Sequence, residues 1–240
     1  MNQINESKWY KIWNQKKLDK VEIPNLEELI NINGFDTSVG GYTPKEWLLM
    51  INSFVKLLNL KSNSDIYEIG CGAGTFLYSI KKIIDVNCYG IDYSSSLINI
   101  AKILLRDSEF IVSEAKSMPS FQKKFDIIFA HSVFHYFPSQ NYAFDVIKKA
   151  NKLLKPGGKF CLLDLNDKKY KKESIQIRIN SFSNDQEYKK VYKGLDHLFI
   201  CKKNLVLNLR KSGFKDIKFF DPLIKEDNVR KYRFNVMANK

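Results

Sequence analysis

The stretch Ile66-Tyr67-Glu68-Ile69-Gly70-Cys71-Gly72-Ala73-Gly74-Thr75-Phe76 leads from an apolar run through three alternate glycines into a helical pattern. Glycine tolerates the backbone angles of a tight turn and lets a ligand approach the main chain, so the segment predicts a buried strand, a close turn and a helix. In an open α/β sheet the first such turn lies at the carboxyl edge of the strands, where ligands bind. The spacing is G-x-G-x-G, with Thr75 standing where the last glycine of a G-x-G-x-x-G dinucleotide fingerprint would fall. No Gly-Lys-Ser/Thr follows to reach a phosphate. An acid, Glu68, stands two residues before the first glycine. A plain strand-to-helix connection would carry similar glycines, so the flanking sequence has to decide.

Outward from this point strands and helices alternate, the pattern of a mostly parallel sheet covered on both faces. Strands are expected at 65–69, 87–91, 109–112, 125–130 and 159–165, and helices from about Gly74, over 96–105 and over 142–154. The first of these helices would bury Phe76, Leu77, Ile80, Ile83 and Ile84. Lys155-Pro156-Gly157-Gly158 reads as a turn, 168–212 as helical or irregular, and 214–220 and 232–237 as two closing strands. Upstream, residues 3–30 read as helical, with Trp9, Tyr10 and Trp13 near one face and an end near Pro24 or soon after; 34–41 reads as a loop. Thr43-Pro44-Lys45-Glu46 is a helix start with cap, first-turn proline and capping-box acid, followed by an apolar stripe at Trp47, Met50, Ile51, Phe54 and Leu58. The expected fold is a Rossmann-like α/β domain, a seven-stranded mostly parallel sheet with helices on both faces and an N-terminal helical cap. It spans 1–240 as one domain, with N-terminal helices and loop at 1–60, a ligand-binding core at 61–165, and a lid insertion with closing strands at 166–240.

The 240 residues, 44% hydrophobic and 13% aromatic, suffice for a substantial core and argue against disorder. The polar first ten residues lack a secretory signal, and no apolar run approaches the ~18 residues that span a bilayer, so a soluble cytoplasmic protein without a membrane partner is expected. Cys71, Cys88, Cys161 and Cys201 form no CxxC pair and read as free thiols. The net charge of +13 is uneven: residues 1–166 hold 20 basic and 17 acidic side chains, residues 167–240 hold 19 and 9. Only five of the 39 basic residues are arginine, the better fork for phosphates and bases, so a solvated basic face is favoured over a nucleic-acid groove. A basic mouth for a small anionic substrate fits either reading.

A second acid, Asp92, stands at the end of the second strand, 18 residues beyond Gly74, where a carboxylate can accept hydrogen bonds from both ribose hydroxyls of an adenosine. A helix-capping role before Ser94 to Ser96 is the alternative. Here the sequence resembles the class I S-adenosylmethionine-dependent methyltransferases, over roughly 65–165. Glu68-Ile-Gly-Cys-Gly-Ala-Gly74 is similar to that family's first motif and Gly90-Ile-Asp92-Tyr-Ser94 to its second. Ser113-Glu114-Ala115 through Met118-Pro119 is similar to the third, and Leu154-Lys-Pro-Gly-Gly158 to the turn before the fifth strand. The resemblance implies S-adenosylmethionine as cofactor. Gly70, Gly72 and Gly74, with Glu68, would shape its methionine end, Asp92 would hold the ribose, Glu114 and Ala115 would contact the adenine, and Tyr93 would pack on it. Glu114 replaces the aspartate common at that place.

Methyl transfer is an in-line displacement at a sulfonium, so the protein supplies alignment and, where needed, a base. The acceptor would face the ends of the fourth and fifth strands. There His135 is the first candidate base and His131 lines the cofactor pocket. His197, in the later insertion, is the second candidate base. Each of these histidines has a bland alternative as a hydrogen-bonded pocket or core residue. Two histidines four apart lack the glutamate of a zincin helix, so no metal is expected. Tyr10, Trp13, Tyr42 and Tyr136 could roof the site or simply pack; Asn166 follows the fifth strand; Arg233, with Arg230 and Asn235 near it, could bind an anionic acceptor or sit on a solvated edge. The fourth strand is followed by His131-Ser-Val-Phe134 and not by the Asn/Asp-Pro-Pro-aromatic run of amino-group methyltransferases of nucleic acids. Cys161 and Cys71 are misplaced for cytosine C5 chemistry. Oxygen methylation of a small polar metabolite remains, with RNA methylation or non-catalytic binding of the cofactor as rivals. Phe134-His-Tyr-Phe137, Tyr192-Lys-Gly-Leu-Asp-His197 and Arg233-Phe-Asn-Val236 resemble segments of methyltransferases of bacterial surface-glycan modification, including those acting on phosphoramidate groups. That resemblance implies a role in capsule biosynthesis.

Overall fold

The computed structural model describes residues 8–17, 24–35, 41–224 and 229–240. Its centre is a sheet of seven strands in the order β3-β2-β1-β4-β5-β7-β6. The strands are β1 (Asp65–Ile69), β2 (Asn87–Asp92), β3 (Glu109–Val112), β4 (Phe125–His131), β5 (Leu154–Asn166), β6 (Lys215–Phe220) and β7 (Arg233–Asn239). The first five run parallel; β7 pairs antiparallel with β5, and β6 antiparallel with β7. The order of winding across the sheet reverses between β1 and β4, so the loops after these strands diverge and leave a crevice at the carboxyl edge.

The inner strands read as continuous apolar runs because both faces are covered. On one face lie α3 (Pro44–Leu58), α4 (Thr75–Lys81) and α5 (Ser95–Leu104); Trp47, Phe54, Phe76 and Phe129 form part of that core. On the other lie α6 (Gln140–Leu153) and α9 (Lys202–Lys211), with Val146, Ile147, Phe160 and Leu205. The start of α3 is as the sequence indicates: Thr43 caps the Glu46 amide, Glu46 returns the bond, and Pro44 occupies the first turn. Helix α4 is shorter than its apolar pattern, ending at Lys81, which leaves Ile83 exposed.

The N-terminal helix expected over 3–30 is instead two helices, α1 (Lys8–Gln15) and α2 (Leu26–Ile32). Asn25 starts α2 with its own capping box to Glu28, a local signal as strong as the one at Thr43. Residues 3–7 and 18–23 of the expected helix, and 36–40 of the expected loop, lie outside the described residues. Within 168–212 the chain forms α7 (Lys171–Asn180), α8 (Asp185–Tyr192) and α9. Among the described residues no helix is long and apolar enough to cross a membrane. The four cysteines are unpaired thiols, three of them buried.

Two departures from regular strand geometry bear on the site. The register of β5 against β7 shifts between Leu162 and Leu165, and Asp164 within the shift takes a φ of 66°. Such an irregularity re-aims a side chain at the strand end. Just past the end of β4, Ser132 has a φ of 55°.

Candidate active site

The glycine turn after β1 forms the floor. Gly70, Gly72 and Gly74 have φ values of 70°, 54° and 77°, in the left-handed region. A Cβ on Gly70 would stand 2.5 Å from Val133 Cγ2, and one on Gly72 2.6 Å from Asn33 Oδ1, so side chains are excluded on two grounds. The turn is held from outside: Asn33 Oδ1 accepts the Ala73 amide at 2.8 Å, and Asp92 accepts Gly72 N–H at 3.0 Å and Ser94 N–H at 2.8 Å. Asp92 thus braces the turn while its carboxylate lines the cavity and retains acceptor capacity for a ligand.

Above this floor lies a cavity of about 320 Å³. Of the residues singled out from sequence, Glu68, Gly70, Gly72, Asp92, Tyr93, Ala115, His131, Trp13, Tyr136 and His197 form its wall. The others stand back from it. Gly74 caps α4, facing Ala101 and Phe110, and Glu114 precedes the short turn Ala115–Ser117. Tyr10 packs on the Tyr93 ring at 5.3 Å, and Tyr42 packs against Phe35 and Trp47. His135 is buried behind Tyr136, with ring centroids 4.2 Å apart. Asn166 donates to the Leu198 carbonyl at 3.3 Å and keeps a buried, unpartnered Oδ1. Arg233 pairs through Nη1 with Asp164, which also accepts the Ser132 hydroxyl, so its charge is already answered by a carboxylate. The side chain of Arg230 lies outside the described residues.

Trp9, Asn33, Phe35 and Asp196 also line the cavity and carry no site signal in sequence. Nothing in the sequence singles out Asn33, because its role depends on meeting a turn 40 residues away. Trp9 and Trp13 belong to α1, which is tied down on both sides. Trp9 Nε1 donates to the Asp196 carbonyl at 3.0 Å, Ser94 Oγ donates to the Trp13 carbonyl at 3.1 Å, and Ser96 Oγ to the Lys16 carbonyl at 2.7 Å. Helix α1 therefore roofs the cavity and shields it from water.

The electrostatics differ between the two ends. Glu68 Oε2 is buried without a hydrogen-bond partner, and desolvation, reinforced by the Asp92 charge, pushes this carboxyl well above the usual range. Desolvation also lifts Asp92 to about 6, against the pull of its backbone amides. This end therefore suits a ligand that brings a cation to Glu68 and a vicinal diol to Asp92. At the other end, burial drives His135 and His197 well below the ordinary imidazole range; Arg233 and Arg178 add to the shift at His135, Arg178 at His197. Both rings are neutral near pH 7. Burial raises Tyr136 to about 12, so it stays a phenol.

The residues at the first end fit S-adenosylmethionine. The orphaned Glu68 carboxyl suits the ammonium of its methionine part, the side-chain-free turn at Gly70 and Gly72 admits its backbone, and Asp92 is free to accept from its ribose. Among the described residues no group of three His, Cys, Asp or Glu side chains converges as a metal site.

A family model described as a methyltransferase domain matches residues 60–213, well over half of the chain. A mouse (Mus musculus) protein named "Probable tRNA methyltransferase 9B" is 27% identical over 128 residues, 52% of this chain and 28% of its own length. A ubiquinone biosynthesis O-methyltransferase from Hydrogenovibrio crunogenus is 27% identical over 162 residues, 65% of each chain. The chain thus spans between about a quarter and two thirds of these curated relatives. Among solved structures, the N-methyltransferase NodS from Bradyrhizobium japonicum, in complex with S-adenosyl-l-homocysteine, superposes with a TM-score of 0.61 at 13% identity, covering 90% of this chain and 98% of that one.

Proposed function

Because the chain belongs to the class I S-adenosylmethionine-dependent methyltransferases, we propose that it moves the methyl group of that donor to an oxygen of a small polar, anionic metabolite held against the cavity wall that Tyr136 and His197 form. The observation that carries this reading is the two-ended cavity beneath α1. One end offers Glu68 and Asp92 and the other offers the neutral imidazole of His197 backed by Arg178.

When bound, the donor supplies an electrophilic methyl on a sulfonium with a neutral thioether as leaving group. The chain's own part is alignment and exclusion of water. Gly70 and Gly72 shape the turn, Asp92 fixes the sugar, and Glu68, whose burial resists ionisation, is drawn towards its charged form by a cationic partner. Trp9, Trp13 and Tyr136 close the cavity to solvent, with Trp9 and Trp13 stacked edge-on to Tyr136 at 4.7 and 5.5 Å between centroids. Neither candidate histidine is arranged as a strong base: His135 lies behind the wall, and His197 has its Nδ1 engaged by Arg178 at 2.7 Å. An acceptor whose oxygen is already anionic, or acidic enough to ionise unaided, needs none. The O-methyltransferase relative and the lack of an Asn/Asp-Pro-Pro-aromatic run after β4 support oxygen as acceptor atom. A role in surface-glycan modification rests on the sequence resemblance alone.

The mouse relative favours a rival reading, methylation of tRNA. Incubation with methyl-labelled donor, separately with a panel of phosphorylated or carboxylated hydroxy-metabolites and with bulk tRNA, separates the two. Label is expected in the small-molecule fraction. Label in RNA would replace this reading with its rival, and tight donor binding with no turnover on any extract would leave a cofactor-binding protein.

A further inference from the structure

Helix α7 is built the wrong way round for a structural element. Its sequence, Lys-Lys-Glu-Ser-Ile-Gln-Ile-Arg-Ile-Asn, offers three isoleucines, yet the residues it buries are Ser174 and Arg178, four apart on one face. Arg178 is only 6% exposed. Among the described residues it has no carboxylate partner, and its Nη2 makes no hydrogen bond. Burying a guanidinium without an acid is unfavourable, so stability gives no reason for it.

Its one side-chain hydrogen bond explains its place. Arg178 Nη1 lies 2.7 Å from His197 Nδ1. A guanidinium only donates, so Nδ1 must be the bare, accepting nitrogen and the proton must reside on Nε2. His197 is part of the cavity wall and is further fixed by Trp9, whose ring centroid is 4.8 Å away. Nε2 has no hydrogen-bond partner among the described residues. Around this pair the other strong cation, Arg233, is spent on Asp164, whereas His135 Nδ1 and Asn166 Oδ1 are buried without partners.

We propose that Arg178 and His197 form an oxyanion-recognising pair at the acceptor end of the cavity: His197 donates through Nε2–H to a phosphate or carboxylate of the acceptor, and Arg178 is the positioning residue that fixes this tautomer and places the balancing charge behind it. The acceptor is thus a small molecule with an oxyanion handle. This deepens the reading of the site as that of a methyltransferase and rests on it for the word acceptor. A guanidinium behind a neutral ring makes the exposed N–H a stronger donor, while the ring keeps the charge from pairing with the methyl-accepting atom itself.

The test is made on the full chain, with and without saturating S-adenosylhomocysteine, using inorganic phosphate and acetate as probes. Nitrogen NMR of the wild-type protein should show His197 as the Nε2–H tautomer. In Arg178→Met the tautomer should no longer be fixed and the ring should titrate closer to a free imidazole. At least one probe should bind the wild type, and Arg178→Met and His197→Phe should each weaken it by about tenfold or more, the scale of one charge-assisted hydrogen bond. Arg178→Lys should retain part of the binding, and affinity for S-adenosylhomocysteine should not change in any variant. An Nδ1–H tautomer in the wild type, no binding of either probe, or equal binding by Arg178→Met would overturn the proposal. If Arg178→Met does not fold, the wild-type tautomer and Arg178→Lys still decide. Failure of the wild type to bind S-adenosylhomocysteine, with probe binding still dependent on Arg178, would sink the methyltransferase reading and leave the pair standing.

Discussion

Asp92→Asn is the substitution whose consequence can be worked most fully from the site. The carboxylate accepts Gly72 N–H at 3.0 Å through Oδ2 and Ser94 N–H at 2.8 Å through Oδ1, with the Tyr93 amide adding to this backbone support, and its remaining acceptor capacity is what the hydroxyls of a ribose would use. Asparagine has a single oxygen, so its amide nitrogen must face either one of these N–H groups or a ribose hydroxyl that needs an acceptor. One charge-assisted bond is lost and a donor meets a donor. With part of the loss recovered by solvent, donor affinity should fall by about 1–3 kcal/mol, roughly 5- to 150-fold. Calorimetric titration with S-adenosylhomocysteine at neutral pH measures this, with a thermal melt to verify folding. The acid side gives a second arm. In the empty site Asp92 is lifted from 3.8 to about 6, so the unliganded fold holds a proton that the unfolded chain has released. Its contribution to stability is therefore full below about 4 and is lost as pH rises through about 6. Accepting both hydroxyls requires the ionised form, so donor affinity changes in the opposite sense and falls as pH drops below about 6, approaching tenfold per unit. The asparagine variant should lose the part of this dependence that Asp92 contributes and keep only that of Glu68. Equal affinities for the two proteins, or a wild-type affinity unchanged from about pH 7 to about pH 5, would refute the ribose-holding role.

Gly72→Ala should lower both stability and donor affinity, each by about 1–3 kcal/mol, since it forces a Cβ to a φ of 54° and against Asn33 Oδ1; a melt and a titration within error of wild type would contradict the packing described. Asp164→Asn leaves the Arg233 guanidinium, 13% exposed, without its carboxylate and should cost about 3–5 kcal/mol in denaturant unfolding, whereas a loss below about 1 kcal/mol would mean the pair is solvated. His135→Ala should reduce turnover through Tyr136 and His197, its ring neighbours, while sparing donor affinity; normal turnover would remove His135 from the reaction. The pH profiles of wild type and variant should have the same shape near 6.5, because the wild-type ring is already held neutral in the folded protein and does not titrate there.

How much of this was readable in the sequence follows the range of the interactions. The capping box at Thr43 and the turn at Gly70 are set by residues within a few positions, and both stand where the sequence places them. Alternation of strands and helices indicates a mostly parallel sheet covered on both faces, but not its strand order, because more than one winding satisfies the handedness of parallel connections. The second capping box, Asn25 to Glu28, was equally local, and it divides a helix that apolar spacing alone runs together. Other features needed the fold. Asn33 reaches Ala73 across 40 residues, and Arg178 reaches His197 only because α7 turns its polar face inward, against the rule by which its isoleucines would be buried. The shift in β5 that re-aims Asp164 depends on its antiparallel partner β7, so the pairing that consumes Arg233 could not be read from either strand separately.

The central claim is that the turn after β1, with Glu68 and Asp92, receives an adenosyl methyl donor. Titration of the purified wild-type chain with S-adenosylhomocysteine, in parallel with a nicotinamide and a flavin dinucleotide, addresses it directly. One saturable site for S-adenosylhomocysteine, displaced by S-adenosylmethionine and indifferent to both dinucleotides, is the expected result. No binding of S-adenosylhomocysteine, or preference for either dinucleotide in the same cavity, would contradict the account.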